Sequence, residues 1–172
     1  FEVARKRHLV WMRSDDVRCV FVHDKIRAAL LDRLSADQRR ELHGRAAVHL
    51  ERSGLSSIFE IAYHFDAAGL REQALGFALE AAEQARSRHS LEIAEQQYRI
   101  AERGVETADK RTCYRILEGL GDVLMLRGRY DASAELFNRA ATLAEGSYAS
   151  AQIEGKLGEL AFKRGDIEQA TQ

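Results

Sequence analysis

The pair Leu120-Gly121, followed by Gly128, recurs 37 residues later as Leu157-Gly158 and Gly165. The flanking stretches repeat with it: LGDVLMLRGRYDASAELFNRA runs from Leu120 to Ala140, and LGELAFKRGDIEQA from Leu157 to Ala170. A period of this length holds one helix–turn–helix unit, whose apolar face stays uncovered until a neighbour stacks on it. The chain is therefore expected to be a stack of antiparallel helical hairpins, an architecture whose extended surfaces serve binding.

Composition agrees. None of the 172 residues is proline, where average usage would give roughly eight. Proline breaks helix interiors, so its absence fits an almost wholly helical chain. The formal net charge of −1 gives no global bias toward nucleic acid or membrane. The charge is unevenly spread, however: residues 1–53 hold 12 Lys/Arg against 8 Asp/Glu, and residues 54–172 hold 14 against 19. Cys19 and Cys113 read as free thiols of a reducing compartment. With no long apolar run and no signal peptide, the expected location is the cytoplasm. The chain opens at Phe1 without an initiator Met and stops inside a motif, and it reads as a piece of a longer protein.

Along the chain, residues 2–10 look like the end of a basic helix. LVWMR (9–13) and VRCVFV (17–22), joined by Ser14-Asp15-Asp16, read as a β-hairpin. Asp24 is placed to N-cap a helix carrying Ile26, Leu30 and Leu34 on one face. Ser35 and Gln38 form a capping-box pattern for the next helix, which ends near Ser53-Gly54. Further helices are expected at about 57–68, 71–87, 90–104, 109–127, 130–144 and 147–164, with a stub from 167 and Gly69, Gly128 and Gly165 in tight turns. The boundary between the N-terminal element and the repeats is expected at 34/35.

The repeat resembles the tetratricopeptide family. One full copy has Leu117, Leu120, Gly121, Leu124, Gly128, Tyr130, Ser133, Phe137 and Ala140, with Ser133 where alanine is usual. A second has Leu157, Gly158, Ala161, Gly165, Ile167 and Ala170. A weaker, earlier one has Ile58, Ile61, Ala62, Phe65, Gly69, Ala74 and Ala81, and the helix after it carries Leu91, Ala94, Tyr98 and Ala101. Small residues let helices approach to roughly 8–10 Å while large ones fill the gaps beside them. The period exceeds the family's usual length of about 34 residues, so irregular connections between copies are expected.

The run from Val20 to Glu51 resembles the junction in bacterial STAND-class signal-transduction ATPases, including regulators with a LuxR-type output domain. The matching residues are Phe21, His23, Asp24, Ile26, Arg27, Ala29, Leu30, Arg39, Leu42 and His43, followed by Ala62, His64, Ala68, Gly69 and Ala74. The resemblance implies the end of a winged-helix element over 1–34 and tetratricopeptide-like repeats over 35–172, with the nucleotide-binding module upstream. No phosphate-binding G-x-x-x-x-G-K-[ST] motif is present; the one Gly-Lys, Gly155-Lys156, is followed by Leu157.

No nucleophile–base set stands out, and His8, His23, His43, His49, His64 and His89 include neither an HExxH helix nor zinc spacing. No enzyme activity, cofactor or metal is expected. The expected function is a protein-binding or regulatory arm, docking a partner or an output domain of its own protein. In the repeat phase, the partner-facing positions are Arg115, Glu118, Asp122 and Met125 of the full copy, Gln152, Glu159 and Lys163 of the next, and Phe59 and Tyr63 of the first. Two alternatives stand beside it. A winged-helix fragment would read DNA through Arg5, Lys6, Arg7, Arg13 and Arg18, beside apolar surface at Leu9, Val10 and Trp11. A stack left uncapped near residue 167 would pair with a second copy.

Overall fold

The computed structural model describes residues 2–12, 19–54 and 56–165. Among them are nine α-helices, one 3₁₀ turn and one two-stranded antiparallel sheet. The chain divides into two compact units, Phe1–Leu42 and His43–Gln172.

In the first unit, α1 (Glu2–Lys6) leads into β1 (Val10–Met12), which pairs antiparallel with β2 (Cys19–Phe21) in the register Val10↔Phe21 and Met12↔Cys19. The expected sheet is present; its polar turn, with Arg13 and Arg18, lies outside the described residues. Val10 is buried, while Trp11 is largely exposed, so the apolar surface expected at 9–11 is only partly open. Helix α2 (Asp24–Asp32) corrects the capping expectation. His23, extended at φ −142°, is the N-cap residue and contributes no side-chain bond. Its carbonyl accepts from the amides of Ile26 and Arg27, which makes Asp24 the first helical residue. Helix α3 (Ala36–Ser53) begins with the expected capping box. The Ser35 amide donates to Gln38 Oε1 at 2.9 Å, and the Gln38 amide to Ser35 Oγ at 3.2 Å.

The second unit takes in α3 from His43 onward, then α4 (Ile58–Ala67), α5 (Arg71–Ser87), α6 (Leu91–Glu102), α7 (Lys110–Leu126), α8 (Tyr130–Ala141) and α9 (Gly146–Arg164). The observed spans differ from the expected ones only at their ends. From α4 on, each helix packs on the next, and one apolar core runs from Ala47 to Leu160. The connection between α6 and α7 carries the 3₁₀ turn Val105–Thr107.

Three turns share one geometry. After α4, α5 and α7, the amides of Leu70, Ser90 and Arg129 donate to the carbonyls of Phe65, Ala85 and Leu124, each at 2.9 Å. The residue before each donor has a positive φ: Gly69 at 78°, His89 at 58° and Gly128 at 73°. This is the helix-terminating motif that favours glycine, and His89 occupies it without one. The turn was not legible as such in the sequence for that reason.

Placing His89 opposite Gly128 sets a second register. Ala78, Ala81, Ala82, Ala85, Ala94, Tyr98 and Ala101 fall 39 residues before Leu117, Leu120, Gly121, Leu124, Ser133, Phe137 and Ala140, and every one of these positions is buried. The sequence reading pairs α5 with α4; the buried positions also align α5–α6 with α7–α8. Alanines in the first hairpin stand where leucines and glycine stand in the second. The unusual Ser133 has a physical reason: its buried hydroxyl donates to the Gly121 carbonyl at 2.8 Å.

A candidate protein-docking face on α7 and α9

The polar candidates on α7 and α9 are engaged largely with one another and with α5. Arg115 Nη2 of α7 reaches Glu83 Oε1 of α5 at 2.6 Å. Asp122 accepts from Arg86 Nη1 of α5 at 2.7 Å and from Lys156 Nζ of α9 at 2.5 Å. Lys156 also donates to Glu118 Oε1 at 2.5 Å, and Gln152 Nε2 donates to the same oxygen at 3.1 Å. The side chains of Lys156, Glu118 and Asp122 are only 17%, 13% and 17% exposed. Burial works against the Lys156 charge, but its hydrogen bonds to Asp122 and Glu118 outweigh that, and the ammonium pKa is raised. Glu118, Asp122 and Lys156 thus form a ladder that ties α7 to α9, and Arg86 extends it to α5. The repeat register of the sequence does not single out Lys156.

The remaining candidates separate. Met125 is 7% exposed and belongs to the core, because its side of α7 is covered. Glu159 pairs with Lys163 along α9 at 3.4 Å. Phe59 packs against the core and Tyr63 stays exposed, edge-on to the rings of His43 and His64.

Two glycines of α7 admit aromatic rings. A Cβ at Gly121 would meet Phe137 of α8, with Cδ1 at 2.7 Å, and one at Gly119 would collide with the Tyr98 ring of α6. Burial pushes the Tyr98 hydroxyl up to about 12. One copy later Lys156 takes the place of Gly119, and its ammonium lies 5.8 Å from the Phe137 ring centroid. Gly158, the counterpart of Gly121, would meet nothing within 4 Å.

Beside the ladder, the first halves of α7 and α9 open a cleft of about 380 Å³. Tyr114, Leu143 and Tyr148 supply its apolar surface; Arg111, Arg115, Glu145 and Gln152 supply its polar edge. Tyr148 is 81% exposed. Tyr114 packs against the core, and its hydroxyl lies 3.5 Å from the Ala149 carbonyl. Lys110 pairs with Glu145 at 3.2 Å, whereas Arg111 is exposed and has no ion-pair partner among the described residues. The sequence register misses Tyr148 because it lies in the first turn of α9, ahead of the matched motif. An exposed aromatic thus stands next to a partly buried one, with the Arg111 guanidinium at the edge.

In the first unit, Arg5 and Lys6 sit in the last turn of the five-residue α1, and Arg7 follows it, all exposed. Among the described residues there is no group of three His, Cys, Asp or Glu able to hold a metal ion. No described helix is long and apolar enough to cross a membrane. No protein-family model and no curated protein matches the chain.

Proposed function

We propose that this chain is a non-catalytic protein-binding arm, built of tetratricopeptide-like repeats, of a bacterial cytoplasmic signalling ATPase or transcriptional regulator of the STAND class. It docks a partner, or another domain of its own protein, in the cleft between α7 and α9. The observation that carries this reading is the cleft itself: Tyr148 exposed, Tyr114 packed against the core and Arg111 without an ion-pair partner among the described residues, beside a ladder whose charges are already paired. The repeated burial of small and large residues 39 positions apart supports the repeat assignment. The resemblance of Phe21, His23, Asp24, Arg39, Leu42 and His43 to the junction motif supports the parent family.

Docking energy is expected to rest on Tyr148 and Arg111 rather than on Glu118 or Asp122, whose charges already have partners. Affinity capture with the full-length protein compares Tyr148→Ala and Arg111→Glu with Glu135→Lys, at an exposed position of α8. Loss of the same bound protein in the first two, with retention in the third and unchanged thermal unfolding, is the expected result. Equal capture by all three would contradict a docking role for the cleft.

A further inference from the structure

His43 of α3 and His64 of α4 come from two separate motifs of the sequence, and the fold brings their Nδ1 atoms to 3.0 Å. At that distance one ring donates and the other accepts. A first proton is accommodated, since a charged imidazole still donates to a neutral one. A second proton leaves two donors and two positive charges face to face. The rings stand 5.0 Å apart, and Tyr63 lies edge-on to both, at 5.6 Å from His43 and 5.3 Å from His64.

This contact matters because little else holds α3 here. Ala47 is the one buried residue of that helix. Leu50 packs against the core from its edge, and Gly44 faces Ala68 and Leu70 at a distance that leaves only ordinary contact. We propose that the His43–His64 pair is an acid-released clasp: double protonation breaks it, and the helical segment from His43 to Ser53 loses its seat on α4.

The surrounding charges set where it opens. Burial, joined by the His43 charge, holds the His64 pKa below its ordinary 6.5, and Glu60, one turn earlier on α4, counteracts them. Asp66 does not offset a second charge, because Arg103, just past the end of α6, engages both its oxygens. Arg39 and Arg40, one turn ahead of His43 along α3, pair instead with Asp32 and Asp37, at 3.8 and 3.4 Å. A histidine whose folded pKa is depressed binds its proton more readily unfolded. Its share of stability is therefore whole above 6.5 and is lost as pH falls from there toward the lowered value.

Amide hydrogen exchange on the full chain at pH 7.5 and 5.0, corrected for intrinsic rates, tests this. Protection over residues 44–53 is expected to drop selectively at the lower pH, with protection over α7 little changed. His64→Asn and His43→Asn each keep a polar side chain but cannot charge, and in either variant the selective drop should vanish. An equal drop in α3 and α7, or a selective α3 drop that persists in both variants, would overturn the clasp.

Discussion

Two glycines in the same motif position have opposite surroundings. Gly121 is enclosed, and an added Cβ would press into the Phe137 ring. Gly158, 37 residues on, has open space in that direction. Gly121→Ala is therefore expected to destabilise the chain by about 1–3 kcal/mol through overpacking. Gly158→Ala is expected to be neutral or to stabilise by up to about 1 kcal/mol through helix propensity. Chemical denaturation of both variants checks the pair, and matching signs would contradict the enclosure of one and not the other. The motif alone could not distinguish them: the letters Leu-Gly are identical, and the difference lies in whether an aromatic from the next helix arrives.

At the scale of elements, helix positions were legible because the apolar period, the Ser35–Gln38 cap and the glycine turns each constrain local structure. Two features were not. The turn at His89 lacks its glycine, so the alignment of α5–α6 with α7–α8 was hidden. The charge ladder was hidden as well. Asp122 and Glu118 look like a solvated acidic face until Arg86 and Lys156 are brought across from neighbouring helices, and helix-to-helix register is not written in any one helix. The ladder predicts that Lys156→Met leaves Glu118 and Asp122 mutually close and half-satisfied. A loss of about 1–3 kcal/mol is expected, read as a lower urea midpoint, while Lys163→Met, at an exposed position of α9, changes it little.

For the whole molecule, the proposed binding role rests on the α7–α9 cleft. The sequence register singles out residues of α7 and α9 that pair largely with one another, because a repeat register assigns positions and not vacancies. Tyr114, Tyr148 and Arg111 emerge only when the first turns of α7 and α9 are set side by side. A photo-crosslinking residue placed at Tyr148 of the full-length protein, in its native host, tests this most directly. The account predicts one discrete cross-linked polypeptide, or one internal cross-link to another domain, that disappears when Arg111→Glu is added and is absent when the probe sits at Glu135. The same products from both positions, or none from Tyr148, would contradict it.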